Sequence, residues 1–241
     1  PENEVPSVSG RLLADEAAIE ALEIPALNKG RIAQYLKANM LTAKNITDRP
    51  VLAGCIGPYS LAGRLYDMSE IMMLIYINSE AANTLLRKCT DFIIRYCMAL
   101  KATGVNGVVM AEPAAGLLSN EDCQEYSTVY VRQIVEAVQD DDFVVILHNC
   151  GNQGQCTQAM IDSGAAALHF GNAVNMVEAL EQCPSDLIVM GNIDPVGILK
   201  QATSEEVYRT TAELLSKTAQ YKNFVISSGC CLLYTSSEPT R

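Results

Sequence analysis

Apolar and polar positions along this chain follow two alternating periods. Short, mostly apolar runs rich in Val, Ile and Ala, and closed by Gly, Asn or Pro, fall at 51–57, 106–111, 143–147, 166–170, 187–190 and 224–227. Runs of that length and composition, bounded by breakers, predict buried strands. Between them the apolar positions recur at helical spacing, most clearly over 80–103, 120–139, 175–182 and 204–221. Near-continuous apolar strands separated by helices predict a parallel sheet covered on both faces. Asn120-Glu121-Asp122 and Ser204-Glu205-Glu206 read as helix starts, a capping side chain followed by carboxylates that complement the helix dipole. Met68, Ile71, Met72, Met73 and Leu74 read as core packing.

An alternation of this kind builds either a doubly wound sheet or an eight-stranded barrel, and two details favour the barrel. Polar or reactive side chains follow almost every apolar run: Cys55, Glu112, His148 with Cys150, Asn172, Asn192 with Asp194, and Cys230. No Gly-x-Gly-x-x-Gly turn follows a strand, so a dinucleotide fold would lack its phosphate cradle. The reading is therefore α/β, a (β/α)8 barrel of TIM type, in which those strand ends converge on one mouth.

The sharpest chemistry is His148-Asn149-Cys150, placed where an apolar run ends at the breaker Gly151 and answered by Cys230 after Ser227-Ser228-Gly229. On an extended backbone, residues two apart face the same way, so His148 and Cys150 share a face. One imidazole and two thiols make a three-ligand site for a borderline divalent metal, zinc above all, with a fourth position open. The alternative is structural, because free cysteine is commonly a small core hydrophobe and the chain has nine. Cys231, next to Cys230, would point away from it if extended. Glu112 and Asp194 are the candidate catalytic acids, although Glu112 equally suits a helix cap and Asp194-Pro195 a strand-to-helix exit. Asn152 and Asn192 are the candidate substrate contacts, Asn152 also suiting a supporting role beside the ligand turn. His169 reads as a packed or hydrogen-bonded histidine.

Composition narrows the class. A net charge of -11 argues against a nucleic-acid surface. The absence of about 18 consecutive apolar residues argues against a membrane span. Pro1-Glu2-Asn3-Glu4 is acidic with no apolar stretch after it, unlike a secretory leader. Irregularly spaced cysteines of odd number suit free thiols in a reducing cytoplasm.

Five blocks carry a family resemblance: Gly54-Cys55-Ile56-Gly57-Pro58-Tyr59-Ser60-Leu61-Ala62, Ala111-Glu112-Pro113-Ala114-Ala115, His148-Asn149-Cys150-Gly151-Asn152, Met190-Gly191-Asn192-Ile193-Asp194-Pro195 and Ser227-Ser228-Gly229-Cys230. Their order and spacing, from about residue 50 to 230, resemble the uroporphyrinogen decarboxylase superfamily. The nearest branch is that of the corrinoid-dependent methyltransferases of the methylcobamide:coenzyme M type. The resemblance implies a barrel with zinc held by His148, Cys150 and Cys230. It also implies a methylcobamide supplied by a small corrinoid-binding partner protein, and a thiol or pterin acceptor. The chain shows no Asp-x-His-x-x-Gly of its own for ligating a corrinoid. Decarboxylases of the superfamily carry a tyrosine where Arg64 stands and a histidine where Cys230 stands, and they lack the His-x-Cys pair. Porphyrinogen decarboxylation is thus the runner-up function, and a non-catalytic relative with a structural zinc the second alternative. The same comparison implies eight strands and a closing helix, so residues 1–230 read as a partial barrel domain lacking the first two strands and the closing helix. Residues 231–241 read as an irregular, foreign-looking tail.

Overall fold

The structure, a computed structural model, describes residues 10–230. Two helices come first, α1 (Glu16–Ala21) and α2 (Ile32–Asn45). Six strands follow: β1 (Leu52–Ile56), β2 (Gly107–Ala111), β3 (Val144–Asn149), β4 (Ala167–Phe170), β5 (Ile188–Ile193) and β6 (Phe224–Ser228). Helices α3 (Pro58–Tyr66), α4 (Met68–Ile77) and α5 (Ser79–Lys101) join β1 to β2, and α6 (Asn120–Cys123) and α7 (Val129–Val138) join β2 to β3. Each later interval holds one helix: α8 (Thr157–Ile161), α9 (Met176–Gln182) and α10 (Ser204–Thr218). All six strands are parallel and lie in the order β1-β2-β3-β4-β5-β6. A doubly wound sheet reverses its order at a switch point, and this sheet does not. The architecture is the α/β fold of TIM type.

Alternation along the strands sorts side chains onto two faces. Val108 and Met110, Val145 and Leu147, Leu168 and Phe170, and Val189 are buried in one apolar cluster with α5, α7 and α9. Burying a side chain of that size stabilises the fold by roughly 1.5–3 kcal/mol, so this face fixes the register. The opposite positions then line up across the sheet: Ile56, Ala111, His148, His169, Met190 and Val225 are successive partners. Two histidines from different strands are thereby set side by side. A second cluster, with Tyr59, Ile71, Leu74, Leu85, Leu86 and Tyr126, joins α3, α4 and α5.

The two helices start at Asn120 and Ser204 as the sequence pattern suggests, but their capping residues lie one position earlier. Ser119 and Thr203, not Asn120 and Ser204, are the caps, both with extended backbone. Thr203 accepts from the Glu206 amide at 3.3 Å while its own amide donates to Glu206 Oε2 at 3.1 Å. This reciprocal pairing needs Thr-x-x-Glu spacing, which Ser204 cannot supply. The expected helix 120–139 is interrupted by a π-helical turn, Gln124–Thr128, between α6 and α7. Asp194-Pro195 leads into turns, and α10 begins only at Ser204. Ile71 and Leu74 are core residues, but Met73 on the same helix is exposed. Cys231 and the rest of the 231–241 tail lie outside the described residues. Among those described, no helix is long and apolar enough to cross a membrane.

Candidate metal centre

Strand β3 continues past its apolar run to Asn149 and then stops, because Asn149 turns the chain. Its Oδ1 accepts from the amides of Gly151 at 3.1 Å and Asn152 at 3.0 Å, an Asx turn that presents Cys150 above the strand end. At β6 the ladder runs one residue further, Gly229 N donating to Ile193 O at 2.7 Å, and Cys230 follows. Glycine is required beside both cysteines. A Cβ on Gly171 would stand 2.8 Å from Cys150 Cα, and one on Gly229 would stand 2.6 Å from Asn172 N. Both turns are thus set down directly on backbone.

A ring nitrogen of His148 and the Sγ atoms of Cys150 and Cys230 lie within 4.8 Å of one another. His148 is 6% exposed. Its Nδ1 is engaged by His169, 3.3 Å from the carbonyl oxygen and 2.6 Å from Nδ1. Its Nε2 is buried with no hydrogen-bond partner among the described residues. A buried lone pair left without a partner costs about 1–3 kcal/mol, which a metal ion would offset. Zinc holds N and S donors at about 2.0–2.3 Å. The donor set and the orphaned nitrogen therefore fit zinc.

Burial pushes the pKa of His148 down, partly offset by its bond to the His169 carbonyl. Burial and the neighbouring His148 push His169 down to about 4, the Ser228 backbone acting in the other direction. Both shifts favour the neutral ring, the form in which imidazole binds metals.

The other expected residues sit along the same edge of the sheet but are occupied differently. Glu112 is 1% exposed, and its carboxylate accepts from the amides of Tyr59 at 3.2 Å and Ser60 at 2.6 Å, capping α3. Burial raises its pKa to about 7, against the lowering effect of those hydrogen bonds. Asp194 Oδ1 accepts from Val196 N at 2.9 Å and Gly197 N at 3.0 Å, closing its own turn. Asn192 Nδ2 donates to the carbonyls of Gly171 at 2.9 Å and Val174 at 2.6 Å, tying β5 to the loop that supports Cys150. Asn152 is 0% exposed, and its Oδ1 accepts from Gly154 N at 2.8 Å and Cys156 N at 3.0 Å. These four side chains hold the loops around the centre. Cys55 Sγ turns to Cys97 on α5 at 3.9 Å. A cleft of about 450 Å³, lined in part by Ile56, Ser60, Arg64, Met68 and Ala111, opens along the same edge. Ala111 is the register partner of His148.

Sequence reasoning did not place His169 and Ser227 at the centre. His169 Nε2 lies 3.0 Å from Ser227 Oγ. The available signal was positional, since Ser227 ends an apolar run and His169 stands one residue before the end of another, but only the folded sheet makes them neighbours.

A parallel strand–helix fold of TIM type with a His-Cys-Cys cluster at the carboxyl ends of its strands sets the class of protein, and comparison with known proteins gives the family. The family model described as uroporphyrinogen decarboxylase (URO-D) matches residues 1–240, and the chain belongs to that family. It is 29% identical over 228 residues to the methylcobamide:CoM methyltransferase MtbA of Methanosarcina acetivorans, covering 93% of this chain and 66% of that protein. It is 28% identical over 195 residues to the uroporphyrinogen decarboxylase of Legionella pneumophila, covering 78% of this chain and 55% of that protein. Among solved structures, a methyltransferase from Methanosarcina mazei superimposes with a TM-score of 0.83 at 22% identity, covering 96% of this chain and 68% of that one. The chain thus spans just under two thirds of one curated relative and about half of the other.

Proposed function

We propose that this protein transfers a methyl group from a methylated corrinoid, carried by a separate protein, to a thiol acceptor of the coenzyme M kind. The observation that carries the reading is the orphaned, buried Nε2 of His148 beside two thiols. The likeness to a methylcobamide:CoM methyltransferase supports it. Zinc, when bound by His148, Cys150 and Cys230, holds an added thiol as thiolate at neutral pH. His148, Cys150 and Cys230 would supply three ligands to the metal, and the two cysteines, as thiolates, would keep it electron-rich. The acceptor thiolate attacks the methyl carbon: a C–S bond forms, the Co–C bond breaks, and its electron pair stays on cobalt as cob(I)amide. Asn149 and Asn152 serve by fixing the turn that carries Cys150, Asn192 by tying β5 to the loop beside it, Asp194 by closing the turn after β5, and Glu112 by seating α3 beside the cleft. The corrinoid protein docks over the strand ends.

The test is oxygen-free turnover of methylcobalamin with coenzyme M, followed by the visible spectrum of cob(I)alamin. Turnover should depend on zinc and vanish in Cys230→Ala. Zinc-independent turnover, or turnover untouched by removing Cys150 and Cys230, contradicts the proposal. Zinc binding without transfer to any thiol points instead to a pterin acceptor. Porphyrinogen decarboxylation, the activity in the name of the Legionella relative, would proceed in metal-free protein.

A further inference from the structure

The centre has a second layer in the two residues that sequence reasoning left out. We infer that His169, itself held by Ser227, is a positioning residue that locks His148 into the one tautomer able to bind a metal through Nε2. This inference rests on the zinc reading above.

A carbonyl oxygen only accepts hydrogen bonds, so His148 Nδ1, 3.3 Å from the His169 carbonyl, carries the proton. That same N–H points at His169 Nδ1, 2.6 Å away, which must therefore present its lone pair. His169, with its Nδ1 accepting, carries its proton on Nε2 and donates it to Ser227 Oγ at 3.0 Å. The three side chains form a directional chain from β3 through β4 to β6. Its consequence at the far end is a free lone pair on His148 Nε2, the buried atom without a partner. Reversing the His148 tautomer would set lone pair against lone pair between the two rings, and against the His169 carbonyl, and would put a proton where the metal belongs. Outer-layer partners of this kind fix the orientation of a ligating histidine and raise its basicity. The rings pack at 4.6 Å between centroids with a tilt of 53°, so His169 also blocks rotation of His148.

The chain has only two histidines, which makes the tautomers directly readable. Long-range ¹H–¹⁵N correlation on metal-free full chain should show His148 protonated at Nδ1 and His169 at Nε2. In His169→Leu, the Nδ1–H form of His148 should give way to a mixture, and zinc affinity, measured by chelator competition, should fall about 10- to 100-fold. His169→Asn places an amide oxygen near the former Nδ1 and should restore most of that affinity. Melting curves of the metal-free variants report folding. If the Leu variant does not fold, the wild-type tautomers and Ser227→Ala, which should weaken zinc binding, carry the test. An Nε2-protonated His148 in the wild type, or unchanged zinc affinity in a folded His169→Leu, overturns the inference. Wild-type protein that binds no zinc while showing the expected tautomers overturns the metal reading instead, so the two failures are distinct.

Discussion

Gly171→Ala tests whether the backbone under Cys150 is as closely seated as the geometry says. The added methyl would meet Cys150 Cα at 2.8 Å, its carbonyl oxygen at 2.9 Å and its Cβ at 3.1 Å. Ordinary contact begins at 3.4 Å, so the Cys150 backbone must retreat by about 0.6 Å. Nothing flexible lies in the way, since two of the three atoms are main chain. Metal sites tolerate ligand displacements of about 0.2 Å, a third of that retreat. Zinc affinity should therefore fall by about 10- to 100-fold, as for loss of a ligand's support. Overpacking should cost about 1–3 kcal/mol of stability. The control is Gly54→Ala on β1, where a Cβ meets nothing within 4 Å and both quantities should stay put. Chelator competition gives the affinity and urea unfolding the stability. Equal zinc affinity in Gly171→Ala and Gly54→Ala, both folded, would refute the argument that Gly171 seats the ligand.

Two further effects concern the scaffold. The folded-state pKa of Glu112, about 7, lies above its ordinary value of 4.5, so its contribution to stability is complete below 4.5 and is lost as pH rises through 7. That is up to about 3 kcal/mol. The stability of wild type relative to Glu112→Gln should fall by that order between pH 5 and 8, the two histidines cancelling in the comparison; a flat difference contradicts the buried-carboxyl account. Thr203→Ala should cost about 0.5–2 kcal/mol through loss of the α10 cap, whereas Ser204→Ala should cost little, and equal melting shifts would contradict the placement of the cap.

The strands and the His-Cys-Cys cluster are legible because each rests largely on short-range patterns. Val144 to Leu147 is an unbroken apolar run, and His148-x-Cys150 needs only strand geometry to bring its side chains to one face. What the sequence could not show is contact across strands. His169 stands beside His148 because the outward faces of β3 and β4 bury Val145, Leu147, Leu168 and Phe170, and that burial selects the register. Glu112 reaches amides 52 and 53 residues away, a contact invisible in local pattern, and so reads from sequence as an acid at a strand end. Helix α2 has no buried residue, so it left no strong apolar stripe to read. The cap positions differ by one residue where Ser119 precedes Asn120 and Thr203 precedes Ser204, because the choice depends on backbone angles.

The central claim is an open zinc site that takes the acceptor sulfur directly. Zinc K-edge X-ray absorption, recorded on the purified chain with and without coenzyme M, reads it in one measurement. The account predicts two sulfurs at about 2.3 Å and one imidazole nitrogen in the resting protein, with a third sulfur appearing on addition of the thiol. A sulfur count that does not change, or a resting site already closed by a fourth protein ligand, would contradict it.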